Sequence, residues 1–485
     1  MTPEPPVLSS APPRLVVAGL GGDSGKTLVS LALVQAARLS GLDVRPFKKG
    51  PDYIDPAWLG WGAGRPARNL DTWLMGVDRT RQAFARAAMG ADLAIVEGNR
   101  GLYDGVDAAG THSTAELAKA IDAPVLLVVN ARKVTRTVAA CVLGCQALDR
   151  AVRIAGVVLN QVHGSRHEAV MRDAITLACG IPVVGVVPRM GDETLLPGRH
   201  LGLVTPAEHG GLEDLGVGLA EFVTPGLDLR AILTLARAAR PIEWWRATGD
   251  DRTDDAGLRI GYVSDSAFTF YYPENLEALA ATGAELVPIS SLEAAALPPS
   301  LDALYVGGGF PETHAARLAA NRTFLADLRR RTEAGLPVYA ECGGLMLLAR
   351  TLRQGGEVHE MSGVLGCDVE LCASPQGHGY AELSVDRPNA FFPVGLSIRG
   401  HEFHYSRLVA GGDPPATACA VRRGTGCAPG RDAMVTPTVW ASYTHVHALA
   451  TPEWARGLLD AARRHHLGAA APGPNVRRRA ASAIG

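Results

Sequence analysis

The chain has 485 residues, room for about three domains of ordinary size or two large ones. Apolar residues make up 47% and charged residues 20%, enough for a full core, and 47 Lys and Arg against 49 Asp and Glu leave a net charge of −2, which gives no support to a nucleic-acid or anionic-membrane surface. No run of about 18 uncharged apolar residues suggests a membrane span, and eight cysteines, none in a C-x-x-C pair, are too sparse for a disulfide scaffold or a structural zinc site.

Met1 to Pro13 is proline-rich and has no apolar h-region, so residues 1–13 read as a disordered tail rather than a signal peptide. With the sparse cysteines, this makes a reducing cytoplasm the expected compartment. The first element is the apolar run Arg14-Leu-Val-Val-Ala-Gly19, and an apolar-periodic stretch from Thr27 to Leu39 follows it. Between them lies Gly19-Leu-Gly-Gly-Asp-Ser-Gly-Lys-Thr27. A glycine loop running into a helix N-terminus presents backbone N–H groups to an anion. Gly22, Ser24 and Gly25 would cradle phosphate, Lys26 would reach the terminal phosphates, and Thr27 would ligate Mg²⁺. Leu20 stands where the strict phosphate-loop pattern has glycine. The plain alternative is a glycine-rich turn, against which the strand–loop–helix context and the Gly-Lys-Thr triplet weigh.

Next comes Phe47-Lys-Lys-Gly-Pro-Asp-Tyr-Ile-Asp-Pro56, which reads as a charged loop. Lys48 or Lys49 could neutralise charge on a transferred phosphoryl group, and Asp52 and Asp55 could bind Mg²⁺ or shape a pocket. The strand Leu93–Val96 ends in Glu97, where a parallel sheet would put a second Mg²⁺ contact. Gly98-Asn-Arg-Gly-Leu-Tyr-Asp-Gly105 follows, with Asp104 as a further acid. Strands at Val125–Val129, Ile154–Leu159 and Val183–Val187 alternate with helical patterns at Thr114–Ile121 and Val134–Leu148. That alternation predicts a parallel sheet covered on both faces over residues 14–240.

Residues 241–257 read as a linker, centred on the polar stretch Thr248 to Ala256. A second α/β series spans 258–470, beginning with strands at Leu258–Val263, Glu285–Ile289, Ala303–Val306 and Pro337–Ala340. The last of these runs into Glu341-Cys342-Gly-Gly, a strand–turn–helix that resembles a nucleophile elbow. A helix N-terminus is expected to lower the thiol pKa of Cys342. Backbone N–H groups of Gly308, Gly309 and Gly343 are candidates for an oxyanion hole. The thiol needs a base. His445 and His447, on one face of a strand, are the candidates. His401-Glu-Phe-His404 lacks the i, i+4 histidine spacing of a zincin and reads as a pocket or structural feature. Residues 471–485 read as a second disordered tail.

Several motifs together resemble the cobyrinic acid a,c-diamide synthase family, from about residue 14 to 466. They are Lys48-Lys-Gly-Pro-Asp-Tyr-Ile-Asp-Pro56, Glu97-Gly with Gly101-Leu-Tyr-Asp-Gly105, Leu196-Pro-Gly-Arg-His-Leu-Gly-Leu203, Gly307-Gly-Gly-Phe-Pro-Glu312, Cys342-Gly-Gly and Gly400-His-Glu-Phe-His-Tyr405. The resemblance implies an α/β fold in two parts, an N-terminal P-loop domain similar to dethiobiotin synthetase and a C-terminal class I glutamine amidotransferase domain. It implies ATP with Mg²⁺, L-glutamine and a tetrapyrrole macrocycle as ligands, with a homodimer compatible. The expected reaction is amidation of a and c acetates, through acyl phosphates, by ammonia from glutamine. Cys342 then resembles the family's nucleophile and His445 its base. Lys26, Thr27 and Glu97 match positions that hold ATP–Mg²⁺, and Asp52, Asp55 and Asp104 match acids around metal, phosphoryl intermediate and substrate. Glu97-Gly-Asn-Arg-Gly-Leu-Tyr103 is closer to relatives that amidate sirohaem or nickel-sirohydrochlorin. A reading from a different class is a partitioning or maturation ATPase with a non-catalytic C-terminal module, for which Cys342 and its paired glycines would have no use.

Overall fold

The computed structural model describes residues 11–189, 195–196, 198–199, 202–242, 257–409 and 416–470. Its contacts divide the chain into two compact units, Met1–Asp250 and Asp251–Gly485. The stretch Thr248 to Ala256, most of the N-terminal tail and the C-terminal tail lie outside the described residues, as does part of the Leu196–Leu203 motif.

The first unit is built on seven strands, β1 (Arg14–Gly19), β2 (Val44–Lys49), β3 (Arg68–Leu70), β4 (Leu93–Gly101), β5 (Val125–Asn130), β6 (Ile154–Val162) and β7 (Val183–Pro188). They form one sheet in the order β3-β2-β4-β1-β5-β6-β7, with every pair parallel. The principal helices are α1 (Lys26–Leu39), α2 (Ile54–Ala63), α3 (Thr72–Ala88), α4 (Thr114–Ala120), α5 (Thr137–Leu148) and α6 (Ser165–Cys179). Continuous apolar strands such as Val125–Val129 are buried throughout, as a sheet covered on both faces requires. Residues 44–49 are a strand rather than the start of a loop. Arg45 and Pro46 interrupt the apolar run, yet Pro46 and Phe47 are buried between β4 and the neighbouring helices. This order has one functional consequence. Lys48 pairs in register with Glu97, and Glu97 with Val17, so the carboxyl ends of β2, β4 and β1 converge beside the glycine loop. A small hairpin, β8 (Gly198–Arg199) and β9 (Gly202–Leu203), follows.

The second unit contains β10 (Arg259–Val263), β11 (Glu285–Ile289), β12 (Ala303–Val306), β13 (Val338–Glu341), β14 (Thr351–Gln354), β15 (Glu357–Glu360), β16 (Asp368–Leu371), β17 (Gly377–Val385), β18 (Ser397–His404), β19 (Ser406–Val409), β20 (Thr417–Arg423), β21 (Arg431–Val435), β22 (Val439–Ser442) and β23 (His445–Val446). Ten strands make one sheet, β11-β10-β12-β13-β22-β21-β20-β17-β18-β23. From β11 to β22 the pairs are parallel, and from β22 onward they are antiparallel. A four-stranded sheet, β15-β14-β16-β19, completes the unit. The antiparallel half is a difference from a plain α/β series. Strand β17 alternates buried and part-exposed residues from Ala381 to Val385, the pattern of a sheet with one open face. The core behind the parallel half is aromatic, with Trp440 stacked on Tyr339 at 6.1 Å. Among the described residues, no helix is long and apolar enough to cross a membrane.

Candidate active sites

The glycine loop leaves the buried strand β1 and enters α1 through Gly25, which has a positive φ of 91°. Ser24 Oγ donates to Gly21 O at 2.9 Å, and Lys26 Nζ folds back to the same carbonyl at 3.0 Å. Asn160, inside β6, donates its side-chain amide to Ser24 O at 3.0 Å and so ties the loop to the sheet. A β-carbon on Gly25 would meet Asn160 Nδ2 at 2.0 Å. Conformation and space therefore both demand glycine there. We expect Gly25→Ala to abolish ATP binding, read as loss of the nucleotide-dependent rise in melting temperature. ATP binding within about threefold of the parent, a difference well below one 1.4 kcal/mol decade, would show that the loop tolerates the side chain. Asn160 is not evident from sequence, because a lone asparagine within a largely apolar strand has no pattern of its own.

Thr27, the second residue of α1, donates its hydroxyl to Glu97 Oε1 at 2.8 Å. Lys48 Nζ meets the same oxygen at 2.8 Å, Asp55 Oδ2 at 2.5 Å and Gly98 O at 3.2 Å. Burial works against the charge on Lys48, but Asp55, Glu97 and Asp52 overcome it and hold the ammonium charged. Burial also works against Asp55, yet Lys48 keeps its pKa below the ordinary carboxylate value. Glu97 is pushed up, first by burial. Lys26 is pushed down, first by burial and then by Lys48. Lys48 thus belongs to a buried ionic cluster at a strand end, not to a surface loop.

The two lysines part company. Adjacent strand residues face opposite sides, and Lys49 is buried toward Asp71, which caps α3 by accepting from Trp73 N and Leu74 N. Asp52 accepts from Ile54 N and Asp55 N at the start of α2. Asn69 braces this turn by donating to Gly50 O and Asp52 O. Asp104 is exposed, and its Oδ2 accepts from Gly101 N at 2.7 Å, closing the turn after β4. Glu97 Oε2 is buried with no hydrogen-bond partner. An orphaned carboxylate oxygen beside a threonine hydroxyl is a hard-oxygen pair suited to Mg²⁺, which takes its remaining ligands from water and phosphate. Thr27 and Glu97 therefore fit such an ion.

In the second unit, Cys342 follows β13 with φ 49° and ψ −99° and opens the helix Gly343–Leu348. Its N–H donates to Ser442 O at 2.7 Å, fixing the bend against β22. A non-glycine residue in this region of φ and ψ is strained. The thiol does not have the lowered pKa expected from a helix N-terminus. Burial pushes it up, and the Glu312 carboxylate adds to the rise, while the Gly343 N–H opposes it without prevailing. The helix is one short turn and a half, and Cys342 is 6% exposed, so desolvation wins. A thiol in this setting would need a proton acceptor to act as a nucleophile.

Gly309 has φ 156°, and a β-carbon on Gly343 would lie 3.1 Å from Gly309 N, so these two glycines adjoin. Gly308 has a different neighbour, since a β-carbon there would meet the His445 ring at 2.5 Å. His445 sits on β23, paired with His401 on β18. The two rings stack at 4.9 Å. Asp432 fixes the preceding turn, accepting from Tyr443 N, Thr444 N and Thr444 Oγ1. His445 Nδ1 lies 3.4 Å from Glu341 Oε2, whereas His447 Nε2 lies 3.6 Å from Glu274 Oε2 and packs on Tyr272. His401 is held neutral, its pKa well below the usual value, by burial and then by His445. His404 stacks on Tyr443 at 3.7 Å, and its Nδ1 donates to Ser406 O at 2.7 Å. Among the described residues, no group of three His, Cys, Asp or Glu is placed to hold a metal.

Residues 15–203 match the CobQ/CobB/MinD/ParA nucleotide binding domain family, and residues 259–453 the CobB/CobQ-like glutamine amidotransferase domain family. Whole-length relatives share both parts. A cobyrinate a,c-diamide synthase of Magnetococcus marinus is 42% identical over 448 residues, 91% of this chain and 96% of its own. That of Syntrophotalea carbinolica is 41% identical over 92% of this chain and 98% of its own. The Salmonella typhimurium protein of the same name is 37% identical over 93% and 98%. With identity at this level along nearly the whole length of both chains, the protein belongs to the cobyrinate a,c-diamide synthase family, a family of glutamine-hydrolysing ligases.

Proposed function

We propose that this enzyme amidates the a and c acetate carboxylates of cobyrinic or hydrogenobyrinic acid, using ATP with Mg²⁺ and glutamine. The observation that carries the reading is the presence in one chain of two separate machineries. One is the Thr27–Glu97–Lys48–Asp55 cluster beside a phosphate loop, and the other a strained Cys342 next to two adjoining glycines. The names of the relatives support the corrin-type substrate.

A carboxylate is a poor electrophile, so its oxygen is first converted to a phosphate leaving group. The acetate oxygen forms a bond to the γ-phosphorus as the bond to the ADP oxygen breaks. Lys26 and Lys48 carry positive charge toward that transfer. Mg²⁺, held by Thr27 and Glu97, would neutralise phosphate charge. Cys342 Sγ attacks the glutamine carboxamide, and Gly309 and Gly343 N–H groups receive the developing oxyanion. His445 takes the thiol proton and returns it to the departing ammonia, and water then hydrolyses the glutamyl thioester, breaking the C–S bond to release glutamate and restore the thiol. Ammonia then displaces phosphate from the activated acetate.

The test is a substrate panel with ATP, Mg²⁺ and glutamine, read by mass spectrometry. Each amidation lowers the mass by roughly 1 Da, the exchange of OH for NH₂ in acyl transfer. Two such steps on cobyrinic or hydrogenobyrinic acid are expected. Steps confined to sirohaem or nickel-sirohydrochlorin would keep the chemistry and overturn the substrate. Glutamine hydrolysis without change in any macrocycle would overturn the substrate class.

A further inference from the structure

We infer that Glu341, the residue before the nucleophile, is the carboxylate that orients His445. The inference rests on the reading of Cys342 and His445 as the glutaminase pair. Glu341 ends β13 and is fully buried, with 0% exposure. A buried carboxylate persists only when its oxygens are satisfied. Here Val446 N donates to Oε1 at 3.1 Å, Tyr305 OH donates to Oε2 at 3.2 Å, and His445 Nδ1 lies 3.4 Å from Oε2. The Val446 bond is made by the residue next to His445, so one side chain fixes both the backbone and the ring of β23.

The local backbone makes this arrangement possible. Glu341 pairs in register with Ser442, three residues before His445. The turn at Cys342 then carries the chain out of the sheet with φ 49°, so nucleophile and carboxylate are consecutive residues without sharing a direction. A carboxylate at Nδ1 selects the tautomer with its proton there and leaves Nε2 as the acceptor. Nε2 is the nitrogen on the side of the Gly308 loop, 3.3 Å from the position of a β-carbon on Gly308. The neighbouring imidazoles are occupied differently. His401 Nδ1 meets Tyr272 OH at 3.2 Å, and His447 lies by Glu274. Glu341 is a positioning residue, since it acts through His445 and touches no reacting atom.

The experiment compares Glu341→Gln, Glu341→Asp, His445→Asn and the double variants in the full chain. Glutamine hydrolysis gives kcat and KM, and amidation driven by ammonium chloride reports whether the protein is intact. Glu341→Gln is expected to lower the glutaminase kcat by roughly 10²- to 10⁴-fold, the range for loss of base function, with KM for glutamine changed less than about threefold. Glu341→Asp should fall between parent and Gln. In the His445→Asn background neither change should cost more, because residues acting as one unit are not additive. A parental kcat in Glu341→Gln overturns the proposal, as do losses that multiply in the double variants. Should Glu341→Gln fail to fold, Glu341→Asp with and without His445→Asn gives the same decision. Full glutaminase activity in Cys342→Ser would instead overturn the underlying pair.

Discussion

Cys342→Ser is expected to lose glutamine-dependent amidation by on the order of 10⁴-fold or more, the scale seen when a covalent nucleophile is removed. Amidation driven by ammonium chloride should stay near the parental rate. The separation follows from the architecture. Cys342 belongs to the second unit, and the nucleotide loop with its Lys48 cluster to the first. Serine would occupy nearly the same volume, so packing around a residue only 6% exposed is preserved. Its hydroxyl is a far weaker acid than a thiol, however, and the surroundings already disfavour an anion. Burial and the Glu312 carboxylate push even the thiol pKa up. A base strong enough to strip the thiol as it attacks would leave the hydroxyl protonated. The measurement is glutamate release and macrocycle amidation on the same sample. Loss of both glutamine- and ammonia-driven amidation would mean that Cys342 serves the fold or the ligase step. Retention of both would mean that a residue other than Cys342 is the glutaminase nucleophile.

The sequence made the chemistry more legible than its setting. Gly25, Lys26 and Thr27 stand in a pattern that carries its mechanism with it, and the run Leu93–Val96 leading into Glu97 is unbroken and apolar. Periodicity fails where a strand carries its function inside it. Val44–Lys49 contains an arginine, a proline and two lysines, and only its pairing with β3 and β4 shows that both lysines are buried. Spacing likewise says nothing about long-range partners. Asn160 braces Ser24 across 136 residues, and Glu341 meets Val446 across 105. Asn160 lies inside β6 and Glu341 ends β13, and neither stands out in sequence until the sheet order is known. The sign of the Cys342 shift was hidden for a related reason. A helix N-terminus is visible in sequence, whereas the desolvation that outweighs it comes from tertiary burial of Cys342.

Lys48→Met is expected to be the most damaging single change in the first unit. Among the described residues, the lysine is the cation paired with both Asp55 and Glu97, at 2.5 and 2.8 Å, and its side chain is 3% exposed. Methionine matches its length, so no cavity opens, but two carboxylates are left without their counter-ion. Breaking a buried pair from one side costs about 3–5 kcal/mol, a large share of the stability of an ordinary domain. Adding Glu97→Gln removes one of the stranded charges and should restore part of the melting temperature. It should not restore catalysis, since the orphaned oxygen suited to Mg²⁺ goes with it. Thermal unfolding of the single and double variants separates the two effects, because stability recovers while ATP-dependent amidation with ammonia stays at least ~10²-fold below the parent, a loss typical of removing one transition-state charge partner. If the single variant kept its ammonia-driven rate, Lys48 would be a structural counter-ion alone, and Lys26 would be left as the cation for phosphoryl transfer. If the double variant gained no stability, the cost of Lys48→Met would lie in the lost Gly98 contact rather than in stranded charge.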